Sequence, residues 1–579
     1  MNAFGDLLKT YADGNPDGIS VVYGSRRLTW KDIHQRTSQL ANALFDLGLR
    51  KGDKGAIMLH NCPEFIEATC ALQKIGAIPA PLNYRFVASE IEFQVNHSDA
   101  KVFIFEDLWL DQIELALPNL RGVENIVVAG EPRDGMLGYE ELLASGSASD
   151  PQVEVRPEDV ASLLYTGGTT GQPKGVVTTY QNYMQHFDGL VSALVAILPS
   201  VRFPAINLPM RGGATLGKIL GSNASNWIIH RPAVQRLITE KGPGLVLKLF
   251  KWGRGRGNLD LKWLCVPPLF HMASFGVILE TNWMQSGYFP IVLTENPRFD
   301  PQEVLELIDR EKPSGIWMVP AMWKKLLELP DLDRHDFGSL VFIATGAGVC
   351  TAELKGRILK HFRNGLLIDA FGQTEMTPIA TLKVDSDPEK LSDRSVGRSL
   401  PGLEIRVVDE EGQDVPRGEI GEIIYHSEWI MRGYYKEQEK TAEVIRDGWF
   451  YSGDLGYFDD AGEVKVVERK SEVIPTGGEK IFPLDVEKIL EQHPKVEHAC
   501  LIGVPDDTYG QVPRAVVKLK EDESATEEEI IEWCRGKMAG FRRPKSVIFV
   551  DDMPLNPVGK VKRAIVKQDF GKSIPVSGA

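Results

Sequence analysis

The chain lacks any cysteine framework. Cys62, Cys70, Cys265, Cys350, Cys500 and Cys534 are its only cysteines, far apart and with no Cys-x-x-Cys pair. That spacing argues against a disulfide frame or a zinc site and suits reduced thiols in a cytosol. A basic excess is also missing: the formal charge is -15, and a general nucleic-acid coat needs a positive surface. The N-terminal MNAFGDLLKTYADG has no basic start followed by an apolar run, so no secretory signal is expected. The longest charge-free apolar stretch, Gly189 to Val201, is interrupted by Pro199 and falls short of the roughly 20 residues of a spanning helix. A cytoplasmic protein without transmembrane segments is expected. There is no internal repeat and no low-complexity tract.

With 579 residues, 43% hydrophobic and 25% charged, the chain has the composition of a folded protein of two or more domains. Strand-like segments (VVYGSRRLTW, KGAIML) alternate with helical periodicity (IHQRTSQLANALFDLGL, PEFIEATCALQKIGA). This predicts an α/β fold: a large multi-layer N-terminal domain with mixed and parallel sheets, over residues 1–470. From about Ser471 the pattern changes to PLDVEKILEQ, ACLIGV, TEEEIIEWCRGKM and SVIFV, which predicts a small α+β domain over 471–579. One stretch departs from the acidic average: Arg202 to Lys262 carries eleven lysines and arginines against Glu240 and Asp260.

The segment LLYTGGTTGQPKGVV, Leu163 to Val177, follows a strand-like run and gathers Thr166, Gly167, Gly168, Thr169, Thr170, Gly171 and Lys174. Glycines let backbone N–H groups close on phosphate oxygens, hydroxyls add donors, and the lysine adds charge. Such a loop can cradle a polyphosphate. It is not a Walker loop, because Pro173 precedes Lys174 and Gly175 follows it. A plain flexible turn is the competing reading.

This string resembles the adenylate-forming superfamily of acyl-CoA synthetases, nonribosomal adenylation domains and beetle luciferases. Gly167 stands where that family usually has serine. The resemblance continues through PPLFH (Pro267 to His271), TGAGVCTAEL from Thr345, DAFGQTEMTP (Asp369 to Pro378), SGDLG around Asp454, ERKSEVIPTGGEK, and PLNPVGKVKR (Pro554 to Arg563). It implies that His271 lines the acyl pocket as a gating or catalytic position. Gly346, Ala347 and Gly348 would line the adenine and acyl sites, and Asp369, Ala370, Phe371, Gly372 and Gln373 the nucleotide pocket, with Phe371 stacked on adenine. Thr374 would bind phosphate, and Glu375 with Thr166 would hold Mg²⁺, a hard cation suited to oxygen ligands. Asp454 and Arg469 would bind the ribose and nucleotide, and Gly477 and Gly478 would let a pantetheine arm pass. Ser471 takes the place of the family's Asp or Lys hinge, and Lys560 that of the catalytic lysine. Each residue also has a plainer reading: Thr351 as a helix N-cap, Asp454 as a turn former, Lys560 as a solvated lysine.

The implied reaction is that of an AMP-forming acyl-CoA ligase with ATP, Mg²⁺ and coenzyme A. Bringing a carboxylate to the α-phosphate of ATP forces two anions together, so cations must be fixed there in advance. The acid is expected to be a medium- or long-chain fatty acid or an alicyclic or aromatic one. A carrier-protein-dependent acyl-AMP ligase is the alternative, and a non-catalytic lipid- or nucleotide-binding protein a remote one. Between Lys174 and His271 lie 96 residues, more than expected of the family. The excess coincides with the basic stretch, which reads either as a solvated lid or as a peripheral membrane contact at the inner surface. No nucleic-acid partner is expected, and oligomeric state, including a homodimer, stays open.

Overall fold

The alternation of apolar strands and amphipathic helices takes shape as parallel sheet. The structure, a computed structural model, describes residues 4–166, 173–197, 261–287, 289–363, 365–385, 388, 391–392, 395–555 and 561–572. Gly167, Gly168, Thr169, Thr170 and Gly171, the basic stretch from 202 to 260, and Lys560 lie outside the described residues. Two compact units are distinguished. Of the described residues, those within 4–166, 173–404 and 426–449 form the larger, and those within 405–425 and 450–572 the smaller.

In the larger unit six parallel strands lie in the order Leu366–Gly372, Phe342–Gly346, Gly315–Trp317, Trp263–Cys265, Ile291–Leu293, Ile19–Tyr23. Their short apolar runs are buried on both faces, with Val21, Leu264, Ile291, Ile316 and Ile343 all at 0% exposure, each side chain contributing about 1.5–3 kcal/mol by leaving water. A second, all-parallel sheet runs Ile78–Pro81, Lys54–Met58, Ala100–Glu106, Asn125–Ala129, Leu137–Gly138. Helices cover these sheets, and their starts follow local chemistry. Thr29 and Asp32 form a reciprocal capping box on Trp30–Asp46, and Thr351 caps Ala352–His361 by accepting the Leu354 N–H at 3.2 Å. The expected N-cap reading of Thr351 is therefore met.

The smaller unit holds an antiparallel sheet of Glu404–Val408, Gly421–His426, Trp449–Phe458 and Val464–Arg469. Its α+β part has a sheet of Val496–Asp506, Gly510–Leu519 and Ser546–Phe549 with the helices Pro483–Glu491, Glu527–Trp533 and Arg563–Phe570. The turn Lys470–Glu472, where the sequence predicts a boundary, joins the two sheets inside this unit. The expected mixed α/β class with a small C-terminal α+β part is what is found. Among the described residues no helix is long and apolar enough to cross a membrane. Lys262, the last cation of the basic stretch, donates to the Glu311 carbonyl at 3.0 Å.

Candidate active site

The antiparallel pair Val160–Thr166 and Lys174–Thr179 carries the two feet of the Gly/Thr loop, with Thr166 directly opposite Lys174. A third strand, Gly433–Tyr434, pairs with the Lys174 strand in the register Tyr434↔Val176. Strand alternation then puts Thr166, Lys174, Val176 and Tyr434 on one face. Tyr165 and Tyr435 go to the other, where Tyr165 Oη lies 2.8 Å from His97 Nδ1 and Tyr435 donates to Asp99 at 2.8 Å. On the first face the Lys174 ammonium lies 4.8 Å from the Tyr434 ring centre, and the Tyr434 hydroxyl donates to Glu375 Oε1 at 2.8 Å. The Glu375 carbonyl accepts the Met431 N–H at 2.8 Å. Lys174 and Glu375, far apart in sequence, are thus brought together at Tyr434, and Thr166 lies opposite Lys174 on the same strand face. The Thr166 hydroxyl and the Glu375 carboxylate are oxygen donors of the type a hard cation takes.

The strand Leu366–Gly372 leads into the turn Thr374–Met376, and Phe371, Gly372, Gln373, Thr374 and Glu375 are all partly exposed. Gly372 is required by packing: a Cβ there would sit 2.0 Å from the Pro378 carbonyl. Gly346 is opposite Ala370, and its Cβ would lie 2.5 Å from the Ala370 carbonyl oxygen. Ala347 then adopts φ +60°, a left-handed conformation uncommon for alanine and frequent at ligand sites, before Gly348. Asp369 is different. Its carboxylate is buried and lies 2.7 Å from Lys355 Nζ, which also meets Asp385 at 3.0 Å. Burial pushes the Asp369 pKa up even beside the lysine. Its side chain belongs to the core, and its strand position is paired on both sides, with Thr345 and with Lys383, so the structure does not bring it into an open site.

His271 ends a turn held by Asn61, whose Nδ2 donates to the Pro267 carbonyl at 3.0 Å and whose Oδ1 accepts the Leu269 N–H at 2.7 Å. Desolvation alone pushes the His271 pKa down to about 4, so the ring is neutral at neutral pH. Its Nδ1 accepts the Ala273 N–H at 3.4 Å, leaving the proton on Nε2. Directly after it, Ala273–Trp283 winds as a π-helix, a form frequent at functional sites.

In the smaller unit Asp454 and Arg469 are direct partners on neighbouring strands. Arg469 Nε lies 2.9 Å from Asp454 Oδ1, and its Nη1 donates to the Ser452 carbonyl at 2.9 Å. Gly477 and Gly478 form the two-residue loop between Ile474–Thr476 and Glu479–Ile481, with φ of +55° and +86°. Those are the values of a type I′ hairpin, so the fold itself calls for glycine at both positions.

The family model of the AMP-binding enzymes matches residues 8–203 and 244–435, and that of the AMP-binding enzyme C-terminal domain matches 485–560. The chain belongs to the AMP-binding enzyme family. The first match passes over 204–243, inside the basic stretch. A feruloyl-CoA synthase of Amycolatopsis sp is 29% identical over 96% of this chain and 97% of its own. A 4-coumarate–CoA ligase of Nicotiana tabacum is 28% identical over 94% and 90%. The crystal structure of an anthranilate CoA ligase with anthranoyl-AMP superposes with a TM-score of 0.77 at 24% identity, covering 99% of this chain and 97% of that one. This AMP-binding enzyme is an AMP-forming acid–thiol ligase of the acyl-CoA synthetase class, with a carboxylic acid, ATP and coenzyme A as its substrates.

Two polar residues of the site escape the sequence reading. Tyr434 follows Gly433 in a stretch with no chemical signature, and Asn61 lies 206 positions from the carbonyl it binds. The pairing of Gly433-Tyr434 in a run of aromatics, IMRGYY, is the one local hint of a buried strand.

Proposed function

We propose that this AMP-binding enzyme activates a monocarboxylic acid with an uncharged acyl part, aromatic or alicyclic first and fatty second, as its adenylate and passes the acyl group to coenzyme A. The meeting of Lys174 and Glu375 at Tyr434, with Thr166 opposite Lys174, carries the adenylation half of this reading. Lys174 and the loop amides hold the leaving pyrophosphate, and Lys560 stabilises charge on the α-phosphorus. A magnesium ion on Thr166 and Glu375 would supply countercharge to the ATP phosphates. Phe371 gives the adenine a stacking face, Thr374 a hydroxyl for phosphate, and Asp454 with Arg469 the ribose contacts. Ser471 is the hinge on which 471–579 would turn against 1–470, a pivot that falls within the smaller compact unit.

The acid is read from two observations. Relatives named for the ring monocarboxylic acids of feruloyl and 4-coumarate substrates align over nearly the whole chain. Among the described residues of the larger unit, the buried lysines Lys74 and Lys355 are both paired with aspartate, and His271 is neutral. Neither lysine is left to receive a second carboxylate on the acyl group. A solved fatty acyl CoA synthetase shares the fold with a TM-score of 0.68, which keeps fatty acids as the second reading.

The test is pyrophosphate release with Mg-ATP over benzoate, 4-coumarate, cyclohexanecarboxylate, hexanoate, palmitate and acetate, with and without coenzyme A. Release driven by a ring acid, with its thioester formed, is expected. Release with adenylate but no thioester would move the assignment to a carrier-dependent enzyme, and palmitate preferred over every ring acid would reverse the substrate order.

A further inference from the structure

Among the described residues, Tyr434 stands where the lysine of the Gly/Thr loop and the acidic turn meet. Three contacts hold it there. Its strand pairs with the Lys174 strand, the Arg432 N–H donating to the Val177 carbonyl at 2.9 Å and the Tyr435 N–H to the Gly175 carbonyl at 2.7 Å. Its own N–H donates to Thr441 Oγ1 at 2.9 Å, and that hydroxyl in turn donates to the Glu437 carbonyl at 2.8 Å. Gly433, at φ +148°, makes this approach possible, because a Cβ there would lie 2.8 Å from Thr441 Cγ2. The side chain is almost fully buried, at 9% exposure, so its direction is set by the fold.

We propose that Tyr434 is a positioning residue for Glu375 and Lys174: its hydroxyl fixes one carboxylate oxygen so that the other faces the metal, and its ring holds the lysine ammonium beside the phosphates. A carboxylate on a partly exposed turn has free rotation about its terminal bonds, and a single phenol donor at 2.8 Å removes that freedom. Glu375 Oε2 has no hydrogen-bond partner among the described residues, which leaves its lone pairs for a hard cation. The ring does the second task by a different force: an ammonium 4.8 Å from the centroid is attracted by the negative ring face. One side chain therefore sets the distance between an acidic metal ligand and a basic phosphate ligand. The proposal rests on the reading of Glu375 as the magnesium ligand.

Tyr434→Phe separates the two tasks, since it removes one oxygen and keeps the ring. Mn²⁺ binding to the full-length enzyme with ATP, followed by electron paramagnetic resonance, reads the metal site without turnover, and ATP binding in EDTA reads the lysine side. Tyr434→Phe is expected to weaken Mn²⁺ about tenfold, the loss of one hydrogen bond to a charged group, with ATP binding in EDTA and the thermal midpoint unchanged. Tyr434→Leu is expected to weaken both. Glu375→Gln, run in parallel, tests the underlying reading. If it binds Mn²⁺ like the parent, Glu375 is not the ligand and the proposal falls with that reading. If Glu375→Gln loses Mn²⁺ while Tyr434→Phe keeps it, Glu375 stands and the role of Tyr434 is overturned. Should either Tyr434 variant fail to fold, Thr441→Val, which removes the hydroxyl holding the Tyr434 backbone, is expected to give a smaller loss of Mn²⁺ affinity, and unchanged affinity overturns the proposal.

Discussion

Glu280 lies in the π-helix that follows His271, fully buried, with Gln73 Nε2 donating to its Oε1 at 2.7 Å. Gln73 Nε2 also lies 3.2 Å from the Ala161 carbonyl, so the pair links the π-helix to the strand that ends at Thr166. Desolvation raises the Glu280 pKa from 4.5 to about 8. In the unfolded chain the group ionises near its ordinary value, so from pH 4.5 to about 8 the folded state holds a proton that the unfolded state has lost. Stability therefore falls as pH rises through this window, by up to about 1.4 kcal/mol per unit. Glu280→Gln keeps the acceptor and the shape but has no charge to desolvate. Denaturant unfolding from pH 5 to 8 is expected to show a flatter profile for the variant and higher stability at pH 8. An unchanged slope would mean that the carboxyl is ionised in the folded protein.

At the scale of elements, the Gly477-Gly478 hairpin separates a folding requirement from a functional one. Both glycines have positive φ, which costs an L-residue roughly 1–2 kcal/mol. A Cβ on Gly477 would also lie 3.0 Å from the Tyr509 ring, whereas none of the described atoms approaches one on Gly478 within 4 Å. Gly478→Ala is expected to lose about 1 kcal/mol of stability in denaturant unfolding and Gly477→Ala more. If the pantetheine arm runs over this turn, Gly478→Ala will also slow thioester formation from added adenylate while adenylation holds. Equal second-step rates would leave the hairpin as the whole reason for the glycines. The pairing of Gly433–Tyr434 with the Lys174 strand shows the same economy, since one antiparallel register sets both a packed core of Tyr165 and Tyr435 and the polar face opposite it.

For the whole molecule the chemical burden divides between two half-reactions. Charge accumulates on phosphorus only while the adenylate forms, so under the role proposed for Lys560 its ammonium would be needed there and not when a thiol attacks the finished anhydride. Lys560→Ala is expected to lower adenylation by several hundredfold or more and to leave thioester formation from presynthesised adenylate within a few-fold of the parent. Single-turnover measurement of each step checks this, and equal loss of both refutes the division of labour.

Much of this enzyme was legible in one dimension. The Gly/Thr loop, the aromatic-Gly-x-Thr-Glu string, Asp454, Arg469 and the tail motif are each local, because a phosphate cradle or a tight turn is made by neighbours along the chain. They carried the family resemblance and the reaction class it implies, while the alternation of strand-like and helical segments carried the α/β architecture. Tertiary structure alone decided that Asp369 turns inward to Lys355, that Asn61 clamps the turn before His271, that a desolvated Glu280 is tied through Gln73 to the strand ending at Thr166, and that Tyr434 joins Lys174 to Glu375. Each of these is a contact between segments far apart in sequence, where neither residue type nor spacing carries a signal. What sets them is which buried polar group is left needing a partner once the strands have paired.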